Sequence, residues 1–269
     1  MLHTLPEGNA VWGMTLLDKL LYVLRGKASQ QISVYDMHSY RLQRRIKVPT
    51  LDDMADIIAC ADNCCLYISG CTDNCVHRVA LQDVDVHVTM WPVNDVAACL
   101  SVTDTHSVLV TCDEVRKIKE FTTHGKLLRQ IELPHDVVSP WHTIQLSSGE
   151  FIVCHGGPAN PVHRVCLVGF DGQVVKSYSG PAGSDSQQMK SPFHMAVDRN
   201  GFVFVIDLNN RRVLLLSPAL TYVREVVSPE QLKWMPVRLY LDDDRRRLFV
   251  ADNKCDAGKT AGRVIVFSV

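Results

Sequence analysis

The chain has 269 residues, 46% hydrophobic and 21% charged, with a formal net charge of −1. This composition supplies a large apolar core and excludes a disordered or collagen-like chain. So balanced a charge leaves attraction to nucleic acid or membrane to local asymmetry, not to the chain as a whole.

The first residues, Met1-Leu2-His3-Thr4-Leu5-Pro6, have neither the basic start nor the apolar stretch of a secretory signal, and no later run reaches the length of a membrane span. Ten cysteines suggest a disulfide framework, but such frameworks serve small secreted domains that lack a core, and no Asn-x-Ser/Thr sequon occurs. Reduced thiols, a cytoplasmic location and no membrane partner are expected.

A short apolar, strand-forming run recurs six times: Leu21-Tyr22-Val23, Leu66-Tyr67-Ile68, Val108-Leu109-Val110, Phe151-Ile152-Val153, Val203-Phe204-Val205 and Leu248-Phe249-Val250. Their middle residues lie 45, 42, 43, 52 and 45 positions apart. Periods of this size, punctuated by turns, belong to propeller blades. The expected fold is all-β, a six-bladed β-propeller of four-stranded antiparallel blades, with residues 1–269 forming one domain.

In the first unit the strands read as 12–16, 20–24, 32–35 and 42–48. The fourth has turns at Ser147-Ser148-Gly149-Glu150 and Phe170-Asp171-Gly172-Gln173. The long interval before the fifth is a polar surface loop around residues 180–188. The fifth unit is the clearest, with strands at 194–197, 202–206, 212–216 and 222–227 and the turn Asp198-Arg199-Asn200-Gly201, whose glycine supplies the positive φ of a tight hairpin. Most outer strands end near a proline: Pro49, Pro92, Pro134, Pro181 and Pro229. The last unit stops at its third strand, Arg263-Val264-Ile265-Val266-Phe267. Residues around Met1 to Leu5 are therefore expected to pair there as its outermost strand and close the ring.

In residues 192–213 the combination of Pro192, His194, Ala196-Val197-Asp198, Gly201, Val205, Asp207, Asn210 and Arg212-Val213 resembles the NHL repeat. Parts recur as Asp252-Asn253 with Gly262-Arg263-Val264, as Asn160 with His163-Arg164-Val165, and as Asn74 with His77-Arg78-Val79. The chain is similar to the C-terminal propeller of tripartite-motif (TRIM-NHL) proteins. That resemblance implies a recognition platform for a protein substrate of ubiquitin transfer, or for single-stranded RNA on a positive face. Asp207 with Arg212 and Asp252 with Arg263 read as structural pairs holding the crossover between second and third strands, and Asp113 with Lys117 is a third candidate.

Labelling the strands of a blade a to d from the axis outward, the start of a, the end of b and the b–c loop share one face. Registering each blade on its a–b hairpin places Trp12, Asp56 or Ile57, Cys99, His142, His194 and Arg238 around the channel mouth there. Two histidines at one register suggest a metal, but their neighbours lack a full ligand set, so hydrogen-bonded channel histidines with no cofactor are expected. Cys60, Cys64, Cys65, Cys71 and Cys75 read as small apolar residues separated by a strand, not as a zinc site.

The b–c loops carry eleven Lys and Arg against six carboxylates, which makes this face positive. Arg25, Lys27, Arg116, Lys117, Arg211, Lys254 and Lys259, with Trp12 and Arg238, are the expected partner-binding residues. In the RNA version the loop cations contact phosphate while Trp12 stacks a base. The expected function is a non-catalytic recognition module. The alternative is a metal-dependent lyase or lactonase-like enzyme centred on His142 and His194. No catalytic constellation and no zinc-binding RING pattern occur in the sequence, so the catalytic part of a ubiquitin ligase is not among these residues.

Overall fold

The computed structural model describes residues 1–26, 31–48, 54–70, 72–81, 87–157, 160–178, 182–185, 188–256 and 259–269, without the side chains of 54, 55, 255, 256 and 259. Lys27, Pro49, Cys71, Pro181, the Lys259 side chain and part of the loop at 180–188 therefore lie outside the described residues.

Twenty-four strands form six four-stranded antiparallel sheets. A short β1 (His3–Thr4) precedes blade 1, which comprises β2 (Val11–Leu17), β3 (Leu20–Arg25), β4 (Gln31–Asp36) and β5 (Leu42–Lys47). Blade 2 is β6 (Met54–Cys60), β7 (Cys65–Gly70), β8 (Cys75–Ala80) and β9 (His87–Pro92). Blade 3 is β10 (Ala97–Val102), β11 (Val108–Cys112), β12 (Lys117–Phe121) and β13 (Leu127–Glu132). Blade 4 is β14 (Pro140–Gln145), β15 (Phe151–His155), β16 (Arg164–Val168) and β17 (Val174–Tyr178). Blade 5 is β18 (Pro192–Val197), β19 (Val203–Asp207), β20 (Arg212–Leu216) and β21 (Tyr222–Val227). Blade 6 is β22 (Met235–Asp242), β23 (Arg247–Asp256) and β24 (Lys259–Ser268), and β1 pairs with β24 to complete it. Among the described residues no helix is long and apolar enough to cross a membrane.

Burial explains why strand b dominates the sequence signal. Each buried cluster joins two neighbouring blades, and strand b lies between two such seams. In blade 5, Val203 and Val205 enter the seam with blade 4, while Phe204 and Ile206 enter the seam with blade 6. A strand buried on both faces loses the polar alternation of a half-exposed one and reads as a continuous apolar run. The outer strands alternate or are exposed; in β5 only Ile46 is buried.

The hairpins follow their turn chemistry. Asp198 accepts the backbone N–H groups of Asn200 at 2.9 Å and Phe202 at 2.8 Å, and Gly201 takes φ +82°. Here the aspartate side chain substitutes for a backbone acceptor, and only glycine enters that φ region without strain.

Closure is more elaborate than one added strand. Val264 and Val266 carbonyls accept the N–H groups of Leu5 and Leu2, and Leu5 is fully buried. Asn253, also fully buried, accepts from the Val11 N–H and donates to the Val11 carbonyl, both at 2.9 Å, so one amide joins the last blade to the first. Arg25 donates to the carbonyls of Asn9, Gly262 and Pro6 at 2.8, 3.2 and 3.2 Å. Gly262 is required there, because a Cβ would lie 2.9 Å from Ala10 Cα and Val11 N.

Candidate functional site: a sealed channel and a loop face

All six inner strands slip register by one residue near their start, between Val11 and Gly13, Met54 and Asp56, Ala97 and Cys99, Pro140 and His142, Pro192 and Met195, and Pro236 and Arg238. A β-bulge inserts one unpaired residue and re-aims the side chain beside it. Counting from the bulges, the ring consists of Gly13, Asp56, Cys99, His142, His194 and Arg238. Five of these agree with the sequence register, Asp56 rather than Ile57 being the ring residue. Trp12 is displaced by one position: it is the bulged residue, packed over Gly26, while Gly13 occupies the ring. A Cβ on Gly13 would stand 2.7 Å from Ile57 N, so the close approach of blades 1 and 2 excludes a side chain.

The ring is a plug rather than an open mouth. Asp56 and His194 belong to opposite blades, yet His194 Nε2 lies 3.8 Å from Asp56 Oδ2, and Arg238 Nε lies 3.5 Å from Asp56 Oδ1. The His142 and His194 rings stack at 4.0 Å and 9°. A cavity of about 320 Å³ adjoins the plug, lined by Thr15, Ser101, Ala196 and Tyr240 among others. These residues follow the ring positions along the inner strands, so the cavity lies on the a–b turn side. On the b–c side stand the half-buried bulge aromatics Trp141 and Phe193, 4.9 Å apart, with the Arg238 guanidinium 5.1 Å from the Phe193 ring.

Hydrogen bonding fixes the state of each group. His142 Nδ1 accepts the Met195 N–H at 3.2 Å, and its Nε2 donates to the Leu100 carbonyl at 3.3 Å. His194 Nδ1 accepts the Leu239 N–H at 3.4 Å, leaving the Nε2–H directed at Asp56. Asp56 accepts the N–H groups of Ile57 at 2.9 Å and Leu100 at 3.0 Å. Because a backbone N–H can only donate and a carbonyl only accept, His142 is the neutral Nε2–H tautomer, and the Leu239 and Asp56 contacts place His194 in the same one.

Electrostatics agree. Burial lowers the pKa of His142 well below its usual range, reinforced by His194, and burial also lowers that of His194 despite the opposing pull of Asp56. Burial alone would raise Asp56, but the His194 hydrogen bond and the Arg238 charge outweigh it and hold the carboxyl at about 2. The plug thus carries one anion beside one cation, with neutral imidazoles. Burial pushes the Cys99 thiol well above its normal range, so it remains protonated.

This arrangement bears directly on a metal. Asp56, His142 and His194 offer ligand atoms within 4.8 Å of one another. Ligation through either Nε2 would move the ring proton to Nδ1, against a backbone N–H already pointing there, and Arg238 already neutralises the carboxylate. These residues fit a staple between blades better than a metal centre.

The loop face is less positive than its b–c loops suggest, because the ends of the outer strands and the d–a connections share it and bring carboxylates. Lys117 pairs with Glu132 at 3.2 Å rather than with Asp113, and Arg164 pairs with Asp136 at 2.7 Å. Arg211 spends its guanidinium on the carbonyls of Trp234 and Leu232, and Arg25 is buried in the closure. Arg238 lies inside the plug. Arg116 and Lys254 are exposed on the loop face. An aromatic that the sequence reading missed, Trp234, stands half-buried there with Lys233 Nζ 4.4 Å and the Arg263 guanidinium 5.8 Å from its ring. The expected structural pairs are present, Asp207 with Arg212 and Asp252 with Arg263, each at 2.8 Å. Asp252 also accepts the N–H groups of Lys233 and Trp234, tying the d–a loop to the b–c crossover.

No disulfide joins the described cysteines. Burial raises Cys112, Cys154 and Cys166 to about 12, in keeping with small apolar residues of the seams.

No family model matches this chain, and no curated protein does. Solved structures are similar along nearly its whole length. Hydrazine synthase of Kuenenia stuttgartiensis matches with TM-score 0.69 and 12% identity, covering 99% of this chain and 97% of that one. Virginiamycin B lyase from Staphylococcus aureus matches with TM-score 0.65 and 11% identity, covering 98% and 88%. The Swd1 β-propeller domain from Myceliophteria thermophila matches with TM-score 0.64 and 11% identity, covering 96% and 84%. At such identities the likeness concerns the fold: this chain is a six-bladed β-propeller.

Proposed function

We propose that this protein is a non-catalytic recognition module of the NHL type, akin to the propellers of tripartite-motif proteins, presenting its b–c loop face to a protein partner. One observation carries the reading: hydrogen bonds and ion pairs between blades occupy the polar atoms of the channel cluster, so its chemistry is spent on holding the ring together. Recognition then falls to the loop face, where Arg116 and Lys254 are exposed and Trp234 stands half-buried beside Lys233. Protein is favoured over single-stranded RNA because carboxylates of the d–a loops interrupt the cationic track that a phosphate backbone needs. The role of such a module in a ubiquitin ligase would be substrate capture, with a cytoplasmic location.

The test is a pull-down from cell extract with and without nuclease, comparing the wild type with Arg116→Glu/Lys254→Glu. A nuclease-resistant partner lost in the double variant is expected, and a nuclease-sensitive one would replace protein with RNA. Because the fold is shared with a lyase and a synthase, elemental analysis accompanies it. Stoichiometric zinc, manganese or calcium bound through His142 and His194 would sink the non-catalytic reading.

A further inference from the structure

A groove of about 610 Å³ lies outside the channel, at the seam where blade 6 closes onto blade 1. One wall is the segment Pro6, Glu7, Gly8 and Asn9; the other is the blade 1 face bearing Arg25, Ser33, Tyr35 and Arg45, with Tyr40 and Arg41 at its end. The ladder explains that face: Ser33 stands opposite Arg45 and Tyr35 opposite Leu42, so alternate residues of β4 and β5 look into the groove together.

The charge here is one-sided. From Arg41 to Lys47 the chain reads Arg-Leu-Gln-Arg-Arg-Ile-Lys, four cations and no carboxylate. Cations on a sheet edge commonly guard against aggregation, but a general guard would recur on the other outer strands. It does not: β9 has neither Lys nor Arg, β13 and β21 each balance one Arg with one Glu, and β17 has a single Lys. Among the described residues no ion pair holds Arg41 or Arg45. Glu7, the carboxylate of the groove wall, is engaged by Lys233 at 2.8 Å, and Arg25 meets only carbonyls. Arginine forks match carboxylates in two-point contacts, and among the described residues β5 is an outermost strand that no further strand pairs with on its outer edge.

We propose that this seam groove binds an acidic peptide, with a carboxylate side chain seated between Arg41 and Arg45 and the peptide main chain running along the outer edge of β5. The strip is one strand long, roughly 20 Å, and has Asp36 and Glu7 at its margins. That suits a short extended peptide better than a nucleic acid, which needs a longer neutralising track. The site is separate from the loop face and rests on its own observations.

The test is fluorescence anisotropy of the full chain with a labelled alternating Glu-Val decapeptide, with unlabelled oligouridylate as competitor. Arg41→Glu/Arg45→Glu is expected to weaken peptide binding by about tenfold or more. Lys176→Glu/Arg224→Glu, which changes net charge equally on other outer strands, and the loop-face pair Arg116→Glu/Lys254→Glu are expected to leave it intact. All three pairs are exposed, and unchanged thermal unfolding establishes that each variant is folded. No binding by the wild type, equal losses in all three variants, no loss in Arg41→Glu/Arg45→Glu, or displacement of the peptide by oligouridylate at lower concentration would each overturn the proposal. None of these results bears on the partner of the loop face, which the pull-down tests separately.

Discussion

Asp56 of blade 2 and His194 of blade 5 meet across the propeller axis at 3.8 Å, with Arg238 of blade 6 completing the contact at 3.5 Å. The axis of the ring is therefore crossed by side chains that bind one another and the backbones of neighbouring blades. Inner strands of a propeller leave one hydrogen-bonding edge open towards the channel. Here Asp56, His142 and His194 satisfy the N–H groups of Leu100, Met195 and Leu239 on that edge.

Asp56→Ala leaves Arg238 buried without its anion and two backbone N–H groups without acceptors. A loss of about 3–5 kcal/mol is expected, as for other broken buried ion pairs. A double-mutant cycle with Arg238→Met, measured by urea unfolding, should show the pair losing less than the sum of its singles; additivity would mean the two groups do not interact.

Both channel histidines should be Nε2–H tautomers at neutral pH. Nitrogen-15 chemical shifts of His142 and His194 report this directly, and zinc added at stoichiometric amounts should not move the melting temperature. A Nδ1–H signal together with a zinc-induced rise would restore the metal reading.

Stability should fall with acid in two windows. The folded pKa values of His142 and His194 lie below 6.5, so the unfolded chain takes up protons first, and stability present above 6.5 declines as pH drops below that value. Asp56, at about 2 when folded against 3.8 ordinarily, contributes stability above 3.8 that disappears as pH falls towards 2. Urea midpoints measured from pH 8 to pH 3 should show the first decline, and His142→Gln/His194→Gln should flatten it.

Asn253→Leu should cost about 1–3 kcal/mol, since it leaves the buried Val11 N–H and C=O without partners at the closing seam. Hydrogen exchange should then accelerate in β2 and β24 ahead of the other blades. Uniform acceleration around the ring would indicate that closure is not the weak point.

Much of this was legible from residue order, for identifiable reasons. The six apolar runs mark strands buried on both faces, and each begins within one residue of the start of an observed second strand. In blade 5 the third and fourth strands came out at 212–216 and 222–227 as found, because Asp198-Arg199-Asn200-Gly201 pins the hairpin and the alternation pins the rest. The N-terminal closing strand followed from counting strands. Trp12 falls one position off the ring because the β2–β3 hairpin turns in two residues, Asp18 and Lys19, where the other a–b hairpins take four or five, so a spacing shared by the other blades misplaces the register of the first.

The loop-face charges show the other limit. Nearness in sequence matches Lys117 with Asp113, but its cross-strand neighbour Glu132, at the end of β13, pairs with it instead. Arg25 and Arg211 read as free loop cations, and only three-dimensional packing shows that backbone carbonyls claim their guanidinium groups. Asn253 belongs to the recurring Asp-Asn of the repeat, but nothing in that pattern shows that its amide binds the Val11 backbone of another blade, and Trp234 carries no pattern at all.

Repeat spacing and apolar periodicity determined by themselves that six sheets would surround an axis, because a strand pressed on both sides must be apolar throughout and each blade needs its neighbours to bury it. Which side chains meet at that axis, in what protonation state, and which surface cations remain unpaired were decided only by the tertiary structure. Those contacts join residues as far apart in sequence as Asp56 and Arg238, and hydrogen-bond direction and burial, which set their chemistry, exist only once the ring has closed.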